Sequence, residues 1–123
     1  MNQLNFADRS RLIKQILNGH VELCHNQTRS GLETLLISDD EKLHYILMNL
    51  GWQKGDDLRS VVDHRVVGMT VYVRIVDGKF WVEEDWTERG IAVELMAAGI
   101  PKENIVLAFH EPQMRPYTDF AVA

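Results

Sequence analysis

The chain has 123 residues, with 13 basic and 18 acidic side chains, a net charge of −5 and 46% apolar residues. That balance suits one globular domain, 1–123, with a modest core, and no apolar run approaches the ~18 residues of a membrane span. Residues 1–61 carry 7 basic and 8 acidic side chains and residues 62–123 carry 6 and 10, so no basic face is expected to grip DNA independently of sequence. The one cysteine, Cys24, rules out a disulfide framework. The opening Met1-Asn-Gln-Leu-Asn-Phe-Ala-Asp8 has no basic flank or apolar core of a secretory signal, and a cytoplasmic location is expected.

In chain order, Asn5 or Asp8 can cap a first helix. Phe6, Ile13, Ile16, Leu17, His20 and Cys24 recur at helical spacing, with Leu12 and Leu23 beside them. Gly19 invites a bend or an early end. His20 and His25 read as a core-edge imidazole and a helix-end partner rather than metal ligands. Leu32–Ser38 reads as a strand, and Asp39–Lys42 as a charged turn. The strand Leu43–Trp52 is apolar on both faces, which predicts a central position with cover on each side and a buried Trp52. Lys54–Asp57 is loop-like, and Gly68 suggests a bulge or a close backbone approach.

The strongest local signal is Asp77-Gly78, the sequence of a two-residue type I′ hairpin turn. It predicts the pairs Val76–Lys79, Ile75–Phe80, Arg74–Trp81 and Val73–Val82. One ribbon face is then apolar, and on the other Arg74 can lie over the Trp81 ring. A second helix is expected at about 87–98, with Asp85-x-x-Glu88 as a capping box and Gly99-Ile100-Pro101 as its stop. Ile105–Phe109 follows as a strand parallel to the hairpin's second arm. The segment from His110 to Ala123 holds Pro112 and Pro116, reads as extended, and is apolar enough to dock. The expected fold is α+β: an N-terminal helix, a mixed and mostly antiparallel sheet around a central hairpin, a second helix, a short strand and an extended C-terminal segment.

No phosphate-binding loop, nucleophile elbow, H-E-x-x-H or paired C-x-x-C occurs in the sequence. No catalytic residue, metal ligand or cofactor is assigned. Adjacency of Cys24 and His25 does not make a catalytic pair. His110, Glu111, Asp119 and the Glu83–Asp85 run could meet around a metal, but helix capping is reason enough for most of the acids. Trp81 and Trp86 stand out as interface anchors, being large aromatics on polar stretches. The candidate interface or pocket comprises Trp81, Trp86, Thr87, His110, Pro112, Arg115, Tyr117 and Phe120.

Five blocks carry a family resemblance: His44-Tyr-Ile-Leu-Met-Asn-Leu-Gly-Trp52, Asp77-Gly-Lys-Phe-Trp-Val82, Thr87-Glu-Arg-Gly-Ile-Ala92, Gly99–His110 and Arg115–Ala123. In this order they resemble the XisI-like proteins, the fdxN element excision controlling factors found chiefly in filamentous cyanobacteria. The resemblance runs from Leu4 to Ala123. Trp86 and Ala108 stand where members often carry glycine. The resemblance implies a part in excising a DNA element during heterocyst development, with the strand chemistry done by a separate serine recombinase. It also implies a XisH-like partner related to endonuclease-fold proteins. The family supplies no catalytic residue to carry over.

Two functions follow as expectations. One is a non-enzymatic accessory protein that acts by protein contact and self-associates, as a dimer or higher oligomer. The other is a small enzyme or ligand-binding domain with a pocket near His110, or an antitoxin-like inhibitor of a nuclease-fold partner.

Overall fold

The computed structural model describes residues 6–25, 31–53 and 63–123, and the side chains of all of these except 6, 7 and 25. The expectations placed on Asn5, on the His25 ring and on the Lys54–Asp57 loop lie outside the described residues. The described elements are α1 (Phe6–His25), β1 (Gly31–Asp39), β2 (His44–Gln53), β3 (His64–Val76), β4 (Lys79–Asp85), α2 (Ile91–Ala97) and β5 (Ile105–Leu107). The strands form one sheet in the order β1-β2-β3-β4-β5. The first three pairings are antiparallel and β4–β5 is parallel. This is the α+β architecture read from the sequence.

The hairpin forms in the expected register, with Val76 opposite Lys79, Ile75 opposite Phe80, Arg74 opposite Trp81 and Val73 opposite Val82. Asp77 and Gly78 both adopt positive φ, 50° and 79°, as a type I′ turn requires. Alternation then sends Val71, Val73, Ile75, Phe80 and Val82 to one face, where all are buried with Tyr45 and Leu47. Ile13 and Leu17 of α1, Ile91 and Leu95 of α2, and Ile105 join the same cluster. Both helices therefore cover one face of the sheet. Each fully buried side chain of this kind stabilises the fold by about 1.5–3 kcal/mol relative to exposure.

Local departures from expectation have clear causes. α1 runs through Gly19 without a break, because nothing crowds that position and the flanking Ile13 and Leu17 are held in the core. Its last turn leaves the core, with Leu23 65% exposed and Cys24 exposed. Gly68 pairs in register with Asn49, and the extra bulged residue is Thr70, between the Met48–Met69 and Leu47–Val71 pairs. Thr70 Oγ1 accepts a hydrogen bond from Asn49 Nδ2, and Asn49 Oδ1 accepts one from the Thr34 hydroxyl on the adjacent strand β1. The close backbone approach belongs to Gly51: at φ 147°, a Cβ there would lie 2.2 Å from the Gly31 carbonyl oxygen.

Helix α2 also starts later than the capping box suggested. Its N-cap is Gly90, which has no side-chain cap. Asp85 works at longer range. Its carboxylate accepts from the Thr87 amide and hydroxyl, and from the Ile91 amide at 2.7 Å. The helix ends as expected. Ile100 N–H donates to Leu95 O and Gly99 N–H to Met96 O, with Gly99 at φ 101° and Ile100 buried.

The C-terminal segment docks on its own domain. It is not extended throughout: Pro112–Tyr117 forms a 3-10 turn, entered at Pro112 because proline at the first position loses no helical hydrogen bond. Beyond it, Ala121 bridges Val106, and Phe120 packs on the core. No helix among the described residues is long and apolar enough to cross a membrane.

Candidate protein-interaction surface

Strand β4 ends in three consecutive acids, and the chain then turns through Trp86 toward α2. Glu83, Glu84, Asp85, Trp86 and Phe109 line an open hollow of about 470 Å³. The three acids are held differently. Glu83 pairs with Arg74 at 2.6 Å, Glu84 accepts the Trp86 indole N–H at 2.8 Å, and Asp85 ties down the entry to α2. The Trp86 ring stays 74% exposed, and Phe109 is 48% exposed. A second hollow of about 460 Å³, lined by Asn49, Val66, Gly68, Met69 and Thr70, shares the same tryptophan. Trp86 thus borders two depressions, with its backbone N–H held by a hydrogen bond to Thr70 O.

The eight sequence-derived candidates divide by what they touch. Trp81 is half-buried and carries two guanidinium groups, Arg74 and Arg115, each 5.5 Å from its ring centroid. The expected Arg74 stacking is present, and Arg115 adds a contact that sequence spacing did not suggest. Arg115 also donates to the carbonyls of Ala108, His110 and Val122, so it clasps the C-terminal segment to the sheet. Thr87 belongs to the α2 entry, donating to Asp85 and accepting from the Gly90 amide. Phe120 serves the core. These four hold the fold.

The other four face outward. Trp86 flanks both hollows, and Tyr117 is 84% exposed. Pro112 is exposed, and so is His110, whose ring sits 4.6 Å from that of Phe109. His110 and Tyr117 line neither hollow. No group of three or more potential metal-ligating side chains comes together among the described residues.

Sequence reasoning missed Phe109, whose exposure depends on β5 ending at Leu107 rather than running through it. It also misplaced Trp52. That ring is 53% exposed, with Arg65 stacked over it, because the helices cover only the other face of β2.

The remaining polar contacts within the described fold are structural. His20 Nε2 lies 2.7 Å from Glu94, joining α1 to α2. The buried Tyr45 hydroxyl lies 2.7 Å from Ser10 Oγ and donates to Asp40 at 3.0 Å. Hydrogen bonds from Lys14 and then from Tyr45 hold the Asp40 carboxyl below its ordinary value, whereas burial pushes the Tyr45 hydroxyl up.

Comparison with known proteins agrees with this architecture. The family model described as XisI protein matches residues 1–122. A crystal structure of a XisI-like protein from Anabaena variabilis superposes with a TM-score of 0.80 at 34% identity, covering 97% of this chain and 100% of that one. The fdxN element excision controlling factor XisI from the same organism gives 0.75 at 32% identity, covering 96% and 98%. No curated protein matches. With its sequence matched over nearly all its length and its fold shared throughout, the chain belongs to the XisI family.

Proposed function

We propose that this protein helps control site-specific DNA excision as a non-enzymatic accessory factor, working by contact with another protein. The controlling role comes from the XisI neighbour, which is named as an excision controlling factor. The mode of action rests on one observation above all: an acidic notch walled by Glu83, Glu84 and Asp85 and edged by two exposed aromatic rings, Trp86 and Phe109. Exposed aromatics beside carboxylates suit a lysine or arginine from a polypeptide, which gains ring and carboxylate contacts together. The charge distribution points the same way. The half of the chain that holds the notch carries 6 basic and 10 acidic side chains, a poor balance for holding phosphates.

The proposed partner is a XisH-like protein of endonuclease fold, as the family resemblance implies. The test is capture of that protein by this chain, followed by a nuclease assay on the pair. Association at micromolar concentration, with nuclease activity altered in the complex, is the expected result. No association, or turnover of a substrate by the isolated chain that is lost on changing one polar side chain, would overturn the proposal.

A further inference from the structure

The two faces of the sheet are not equally covered. Both helices lie on the face that holds Tyr45, Leu47 and Val73. Among the described residues, the opposite face is closed only toward β5. There Val106 is fully buried and the Arg115 clasp lies over Trp81. Toward β1 the same face is open. Directly paired residues point to the same side of a sheet, so the pairs Ile37–Ile46, Met48–Met69 and Leu50–Val67, and the pair Trp52–Arg65, share this face. Ile37 is 47% exposed, Trp52 53%, Val67 62% and Met69 39%.

We propose that a second copy of this chain covers the open face, forming a homodimer with Ile37, Trp52, Val67 and Met69 at its centre. The area is of the right size. An aromatic side chain such as Trp52 offers on the order of 150–250 Å² and the three aliphatic ones somewhat less, so these four exposures leave roughly 300–400 Å² of mostly apolar surface in water. A stable interface of ordinary size buries about 800 Å² per partner, a little over half of it apolar. The four side chains therefore supply most of the apolar area such a dimer requires.

Charge selects the same occupant. A chain of net charge −5 meets its own image without repulsion only through a patch that carries no net charge. Across β1, β2 and β3, the four rows from Ile37–Ile46 to Trp52–Arg65 carry only Glu33 and Arg65 as charged side chains, of opposite sign; the first row continues to Glu84 on β4, at the border of the acidic notch. The Arg65 guanidinium is already folded over the Trp52 ring. The acidic notch fails this criterion, because a second copy would set Glu83, Glu84 and Asp85 against themselves. An isologous contact through the open face reaches Trp86 only by way of the hollow it shares with Met69, and leaves Phe109 and the Glu83–Asp85 notch free for a different protein.

Sedimentation velocity on the full chain at tens of micromolar tests the proposal. The wild type sediments as a dimer. Val67→Glu and Met69→Lys, both changes at exposed positions, raise the dimer dissociation constant at least tenfold and leave the far-ultraviolet dichroism of the folded chain unchanged. Trp86→Ala remains dimeric. A monomeric wild type overturns the proposal. So does a dimer that persists in both folded face variants, which would place the contact elsewhere, for instance at the β1 end of the sheet. Loss of XisH-like partner capture with the dimer intact would count against the function proposed above, not against this interface.

Discussion

The two faces of the one sheet behave oppositely, although both are apolar. The face under α1 and α2 contains Tyr45, Leu47, Val71, Val73, Phe80 and Val82, and none of these is more than 2% exposed. The other face carries comparable side chains at the alternate positions of the same strands, yet Trp52 and Val67 are more than half exposed. Hydrophobicity alone therefore does not decide what is core. Cover decides it, and two helices of 20 and 7 residues cover one face. The covered face holds the fold together, and the open face is surface available to another chain.

Substitutions sharpen that contrast. The largest difference is expected between Phe80 and Val67. Phe80→Ala on the covered face should cost about 3–5 kcal/mol in chemical denaturation, through lost transfer energy and the cavity left behind. Val67→Thr on the open face should stay within about 0.5 kcal/mol for the monomer. A large loss at Val67 in dilute monomer would mean that the open face is part of the intrachain core.

Next in size is a glycine pair on adjoining strands. Gly51→Ala should cost about 3 kcal/mol, since its Cβ meets the Gly31 carbonyl at a positive φ. Gly68→Ala meets nothing within 4 Å and should be neutral or slightly stabilising. Equal effects at the two sites would contradict the assigned β1–β2 contact.

Smaller effects come from the polar ties beneath the helices. His20→Ala, which removes the bond to Glu94, and Tyr45→Phe, which removes the buried hydroxyl that meets Ser10 as well as Asp40, should each cost about 1 kcal/mol in thermal melts. The Asp40 tie has a defined pH sign. Because its folded-state pKa is lowered from 3.8, its contribution is complete above that value and disappears as pH falls through the lowered one. Tyr45→Phe should therefore make the acid limb of the stability curve shallower. A gain is expected from Gly19→Ala on the exposed side of α1, of about 0.5–1 kcal/mol in stability.

What could be read directly from the sequence was local. Asp77-Gly78 dictated the hairpin register because two adjacent positive-φ residues set both the turn and the strand pairing. Gly99-Ile100-Pro101 stopped α2 for a similar reason. Features that depend on residues distant along the chain were harder to read. Asp85 reaches the Ile91 amide across a loop, so it moves the helix start past the spacing of a capping box. Trp52 looked like core because nothing in its own segment reveals which face the helices choose. Of the candidate surface, Trp86 could be found as an aromatic in an acidic turn. Phe109 could not, because its exposure follows from β5 ending at Leu107.

The central claim is that this chain acts through surfaces that meet other polypeptides, with the Trp86 notch reserved for the regulated partner. Hydrogen exchange on the protein with and without the XisH-like partner tests it most directly. The account predicts new protection at backbone amides around Glu84–Thr87 and Phe109, with the amides of α1 unchanged. Protection confined to other regions, with the notch exchanging as in the free protein, would contradict it.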